Sequence, residues 1–182
     1  MIARGENEVM ALYRGERPVT EVYRGEQLVW QRPVEENMLS GTRAFTGNWL
    51  YADYWSTDEN QGLDGLKVLR RTGDWGGIRQ PVEVIAGEDY TFSLFVKSDG
   101  EGEVYIFTDG DSAVVTPPTM LRIFPSADKW TRFAFSFHCE SSGLVVPRAE
   151  CDSPDQTIWI AGYKLEKGKV TDTVWTPAPG EE

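Results

Sequence analysis

A tryptophan stands at position 75 in the run Thr72-Gly73-Asp74-Trp75-Gly76-Gly77, with Arg79 and Gln80 close behind it. Glycines on both sides leave the faces of the ring open, and a guanidinium and an amide nearby supply planar hydrogen-bonding groups. A second set, Trp49, Tyr51, Tyr54 and Trp55, lies in a stretch rich in Asn, Asp and Gly. Such sets serve recognition by stacking and hydrogen bonding. The alternative is that the rings cap the ends of a core, since large apolar groups are costly to leave in water without a partner.

Bond-breaking chemistry is harder to assemble. The single histidine, His138, sits beside Cys139 with no nucleophile motif around it, as a structural histidine would. The glycines at 73–77 lack the lysine and following helix of a phosphate cradle. Among 29 acidic residues no pair is singled out for glycoside hydrolysis. Cys139 and Cys151 are too few for a disulfide framework and have no metal-ligand spacing with His138; a bridge across the hairpin they flank stays open, but without a leader free buried thiols are expected. The sequence predicts a protein that is not an enzyme.

The elements that must position these residues are strands. Period-two alternation recurs along the chain, while helix-period stripes are hard to find. Strands are predicted at 66–71, 78–85, 90–97, 103–107, 120–124, 130–138, 157–165 and 173–175. Phe92, Leu94, Phe133, Phe135 and Trp159 are assigned to the core. Gly (18) and Pro (10) suit many tight turns in 182 residues. Eight or more short strands without helices between them predict an all-β antiparallel sandwich or jelly roll. It spans 38–176, follows a linker at 34–37, and precedes a flexible tail at 177–182.

Residues 1–33 repeat. Arg-Gly-Glu recurs at 4–6, 14–16 and 24–26, and Val9, Val19 and Val29 keep the same period of ten. Each unit reads as a strand end, a turn and a returning strand, giving a short β-hairpin arm. So small an array buries too little to stand alone, which points to assembly with copies of itself or with another protein. The net charge of −11 lies wholly in residues 34–182, because the arm holds five Arg against five Glu. Such acidity argues against nucleic acid and anionic membrane surfaces. There is no apolar run of membrane-spanning length and no apolar leader at the start, so neither a span nor export is expected.

Two further stretches carry a resemblance. Residues 67–97 place a tryptophan in a Gly-rich turn, then a Gln-containing strand, then Tyr90-Thr91-Phe92-Ser93 and an apolar strand ending in Lys97. Residues 158–179 contain Lys164-Leu165-Glu166-Lys167-Gly168 and then Trp175-Thr176-Pro177-Ala178-Pro179. Both resemble the jelly-roll, carbohydrate-binding-module-like domains of bacteriophage tail and other virion fibre proteins. The arm is similar to the short repeats of phage tail proteins.

This resemblance implies a virion structural protein, assembled in the host cytoplasm and exposed on the particle. It would be a homo-oligomer, a trimer, joined to other virion proteins through residues 1–33 and facing cell-surface carbohydrate. Trp49, Tyr51, Tyr54, Trp55, Asp74, Trp75, Arg79 and Gln80 become candidate glycan-binding residues, with rings for sugar C–H faces and polar groups for hydroxyls. No cofactor is expected. A structural calcium, which such modules commonly hold, would have Asp109 and Asp111, or the run Asp58-Glu59-Asn60, as weak candidates. Two alternatives stand beside this reading: a capsid decoration or head-fibre spacer without a ligand, and the binding module of a bacterial glycan-active enzyme.

Overall fold

The structure, a computed structural model, describes residues 2–4, 9–14, 17–19, 21–24, 27–31, 36–99, 102–117, 120–171 and 173–181. The chain divides into two compact units, residues 1–35 and 36–182. In the first lie β1 (Ile2–Arg4), β2 (Val9–Arg14), β3 (Arg17–Val19), β4 (Glu21–Arg24) and β5 (Gln27–Gln31). They form an antiparallel sheet of order β1-β2-β3 and a separate β4-β5 hairpin. The strand ends pair Arg14 with Arg17 and Arg24 with Gln27.

The second unit holds β6 (Ser56–Thr57), β7 (Leu69–Thr72), β8 (Val82–Val84), β9 (Asp89–Ser98), β10 (Val104–Phe107), β11 (Val114–Thr116), β12 (Met120–Ile123), β13 (Thr131–Ser141), β14 (Gly143–Val145), β15 (Arg148–Cys151) and β16 (Thr157–Lys167). One layer is the six-stranded sheet β11-β13-β9-β16-β7-β6. The other is β12-β10-β15 with the pair β14-β8. All pairs are antiparallel, which makes this unit an all-β jelly-roll sandwich.

Alternation along β9 builds the core. Tyr90, Phe92, Leu94 and Val96 face inward and meet Val104, Ile106, Ile123 and Ala149 from the opposite layer. Phe133 and Phe135 are partly buried and pack against this core, as their alternation predicts. Tyr163 joins the layers directly. Its ring meets Phe45, Trp49 and Phe92 edge-on, and the backbone N–H of Ala149 donates to its hydroxyl at 3.1 Å. Burial pushes the Tyr163 phenol well above its ordinary pKa, so it stays neutral.

Trp159 is a correction. It leaves the main core and lies half-buried on the outer face of the six-stranded sheet, in a small cluster with Leu66, Val68, Phe95, Ala161, Trp130 and Trp175. Its position alternates with Ile158 and Ile160, which take the inner places, and an aromatic residue alone does not reveal which face is which. The same outer face carries a buried ion pair, Lys164 to Glu166 at 2.9 Å, with Lys164 also donating to the carbonyl of Val174.

Two further expectations change. Residues 173–175 form no strand. Nor is the stretch after residue 176 loose: Ala178 is buried, and a carboxylate oxygen of Glu181 accepts from the Thr42 hydroxyl and the Ala178 N–H. Within the expected linker, Asn37 is buried. It donates to Thr42 Oγ1 and the Tyr163 carbonyl and accepts from the N–H groups of Leu39 and Leu165. An Asn side chain can mimic a backbone turn, so a residue that reads as linker serves as a clamp.

Two measurements check this account. Replacing the fully buried Phe92 by Ala should cost about 3–5 kcal/mol in denaturant unfolding. The second concerns pH. The indole N–H of Trp159 bonds to Asp58 and lowers its carboxyl pKa from 3.8, as His138 does first for Asp89. A carboxylate with a lowered folded pKa contributes stability above its unfolded pKa and loses it as pH falls. The melting temperature should therefore fall as pH drops below about 4, and Asp58→Asn should flatten part of that fall.

Candidate functional site

The Trp75 loop is held from beneath. The backbone N–H of Trp75 donates to the carbonyl of Cys151 at 2.8 Å, and that of Gly77 to Glu150 Oε1 at 2.8 Å, so the loop runs along the edge of β15. Gly77 has no room for a side chain, since a Cβ there would stand 2.6 Å from the Ala149 carbonyl oxygen. Leu50 and Arg79 exchange backbone hydrogen bonds of 2.8 and 3.2 Å, bringing the 49–55 run beside the loop.

Trp75 is 47% exposed and adopts φ 45°, a left-handed conformation that L-residues avoid at roughly 1–2 kcal/mol. Its ring stacks on Tyr105 with centroids 6.0 Å apart and planes inclined by 25°, and Tyr105 is buried. The Tyr105 hydroxyl stands 2.6 Å from Glu103 Oε2 and 2.8 Å from Asp152 Oδ2. Those carboxylates push its pKa well above the ordinary value, Glu103 first, so the phenol is a fixed neutral donor under the tryptophan.

Tyr51 and Tyr54 are 43% and 59% exposed and stack on each other at 5.7 Å. Tyr51 too has a left-handed backbone, φ 62°. The guanidinium of Arg79 lies 4.2 Å over Tyr51 and that of Arg71 lies 5.2 Å over Tyr54. Arg71 also donates to the Asp74 carbonyl at 2.6 Å, so one side chain connects the tyrosine pair to the Trp75 loop. The Asp74 side chain is left exposed beside it. Left-handed backbone at bulky residues is expected where the surrounding structure imposes it for a purpose.

Two of the predicted residues are closed to a ligand. Trp49 and Trp55 are buried, their indole N–H groups spent on the carbonyls of Thr46 and Gly76 at 3.1 and 3.0 Å. Both cap the core, and Trp55 supports the Trp75 loop from below. Gln80 is half-buried, like Arg79, and its amide exchanges exposed hydrogen bonds with the backbone of Ser40, accepting at 2.8 Å and donating at 3.3 Å. Trp75, Tyr51, Tyr54, Asp74 and Arg79 remain outward.

Sequence reading missed Tyr105, Arg71, Arg148 and Glu150. The alternation of Val104 and Ile106 inward with Tyr105 and Phe107 outward was there to be read. The partnership of Arg71 with Asp74 depends on the turn and leaves no pattern. Arg148 pairs with Asp109 and Glu150 and lies 4.6 Å over Phe107. It also lines a shallow pocket of about 230 Å³ with Leu50, Arg79, Pro81, Asp109 and Asp111.

Asp109 is thus committed to an arginine, and no group of three or more acidic, His or Cys residues among the described ones could hold a metal ion. Asp58 is likewise tied to Trp159. The two cysteines are free and buried, with burial raising both thiols, and Cys151 donates to the Gly73 carbonyl at the base of the loop.

No protein-family model and no curated protein matches the chain. Solved structures do. The xylan-binding CBM22-1 domain from Paenibacillus barcinonensis Xyn10C is 14% identical, with a TM-score of 0.56 over 76% of this chain and 98% of that one. The CBM22-1-CBM22-2 tandem of the same protein gives 13%, 0.52, 78% and 48%. An arabinose-bound α-L-arabinofuranosidase, MgGH51, gives 16%, 0.50, 75% and 27%, so this chain spans about a quarter of it. At such identities the likeness is one of fold. The second unit has the jelly-roll fold of carbohydrate-binding modules.

Stability separates the outward ring from its supports. Trp75→Ala removes an exposed side chain from a strained backbone and should change unfolding free energy by less than about 1 kcal/mol. Trp55→Ala should cost about 3–5 kcal/mol, measured in the same denaturant titration.

Proposed function

We propose that the jelly roll is a non-catalytic glycan-binding module that stacks a sugar on Trp75, with Tyr51 and Tyr54 as a second contact. Asp74 and Arg79 would bond its hydroxyls. One observation carries the reading: a half-exposed tryptophan is held in a left-handed backbone on a buried, hydrogen-bonded tyrosine. A ring that merely capped the core would sit as Trp49 and Trp55 do. The fold shared with a xylan-binding domain supports it further.

The setting we propose is a bacteriophage virion, the chain being a tail or fibre accessory protein assembled in the host cytoplasm. Support for it comes from the sequence: the closing segment at 158–179 and the ten-residue repeats. In this reading residues 1–33 join other virion proteins and organise a homotrimer. Short sheets with unpaired edges, in a compact unit of their own, suit that task. A single such site binds weakly, and repeated copies on a particle would supply avidity. The second reading is a binding module of a bacterial glycan-active enzyme, favoured by the likeness to a domain of Xyn10C.

A glycan array followed by calorimetry tests the binding. The intact protein should bind a surface polysaccharide at roughly millimolar to micromolar strength, about 4–8 kcal/mol. Trp75→Ala should remove most of that while the melting temperature holds. No ligand on a broad array would instead favour a virion spacer without a ligand. Light scattering tests the arm: the chain from residue 36 onward should be folded and monomeric, and persistent oligomers would show that the arm is not the organiser.

A further inference from the structure

The outer face of the six-stranded sheet carries a second aromatic surface. Register sets Arg70 opposite Trp159, and Trp159 opposite Lys97. Thr131 pairs with Val96, which places Trp130 beside Lys97. The Lys97 ammonium sits between the indoles, 5.6 Å from the centroid of Trp130 and 5.8 Å from that of Trp159. Trp130, Trp159 and Lys97 are half-buried, and Arg70 is exposed.

Packing explains the indoles, which border the small apolar cluster beneath them. It does not explain the ammonium. Lys97 bonds to Gln61 Oε1 at 3.0 Å, and among the described residues no carboxylate lies within ion-pair distance of it, in a chain with 29 acidic residues. The nearby Asp58 is fastened to the indole N–H of Trp159 at 2.8 Å, and its ionised form is favoured by both Arg70 and Lys97. Arg70 and Lys97 thus flank Trp159, with Asp58 the one carboxylate bonded to it, on a protein of net charge −11.

We infer that this face is a second glycan site, separate from Trp75, and that it takes a sugar bearing a carboxylate. The sugar ring lies against an indole, and its carboxylate completes the Lys97–Arg70 pair. A neutral sugar leaves that charge unanswered, so the site favours uronic acids over their uncharged counterparts.

The test uses the full chain, labelled with nitrogen-15 at the indoles and titrated with an oligogalacturonate and with a neutral galactose oligomer of equal length. The indole signals of Trp130 and Trp159, assigned by single substitution to Phe, should move with the uronate and much less with the neutral sugar. That response should persist in Trp75→Ala and weaken as salt is raised. Lys97→Gln should lower uronate affinity about tenfold, the loss of one charge-assisted contact. Lys97→Arg, which keeps the charge if the first variant is unstable, should retain most of it. The inference is overturned if the two signals stay still, if both sugars move them equally, or if the response vanishes with Trp75. Failure of Trp75→Ala to affect neutral-glycan binding would count against the first site alone.

Discussion

Tyr163 is where the sandwich is closed. Its strand is buried on both faces, and a β-bulge between Ala161 and Lys164 lets the phenol point across the core to the Ala149 N–H. Gly162 makes the bulge feasible: it has φ 56°, and a Cβ there would stand 2.8 Å from Leu66 and 3.1 Å from Trp175. Any side chain at 162 would therefore press on the outer cluster while disturbing the ring on the inside. Asn37 locks the same place from the other end of the chain, bonding to the carbonyl of Tyr163 and the N–H of Leu165. Ala149 belongs to β15, whose edge carries the Trp75 loop, so the clamp that closes the core also fixes the floor of the aromatic surface.

That floor is what makes a strained loop tenable. A left-handed tryptophan persists only if neighbours hold it more strongly than the backbone resists. Here the holders are a backbone hydrogen bond to Cys151, a side-chain acceptor from Glu150, the Cys151 thiol on Gly73, and Arg71 on Asp74. Three of these four come from β15. Glu150 is itself buried, and Arg148 beside it neutralises the charge. The loop is thus preformed, and preforming lowers the ordering cost that a weak ligand would otherwise have to offset.

The strands that alternate cleanly were legible in the sequence. Residues 89–98 and 131–141 are long, amphipathic and central, and their inward residues follow from period two alone. The short strands β11, β14 and β15 escaped, because three or four residues with polar neighbours give no period to read. Trp159 went to the wrong face for a related reason: β16 is buried on both sides, so hydrophobicity does not alternate along it. For the site, glycines flanking Trp75 announced an exposed ring, and the left-handed backbone agrees. Trp49 and Trp55 look like Tyr51 and Tyr54 in composition. What separates them is burial: the two tryptophans pack inward with their N–H groups on carbonyls, while the two tyrosines stay exposed, a three-dimensional fact.

Both outward aromatic surfaces pair rings with cations. Arg79 and Arg71 lie over Tyr51 and Tyr54, and Lys97 lies between Trp130 and Trp159. Each such contact contributes about 0.5–1 kcal/mol at an exposed position, enough to fix a ring's orientation but not to bury it. An acidic chain has few cations to spend, 18 Lys and Arg in all, and several stand on exposed or half-exposed rings, not on carboxylates. The placement keeps apolar rings in water without surrendering them to the core. It leaves ring edges and faces ordered, partly open, and bordered by donors. A surface arranged in this way is poor at packing against another protein's apolar core and well suited to small ligands with both C–H faces and oxygen acceptors.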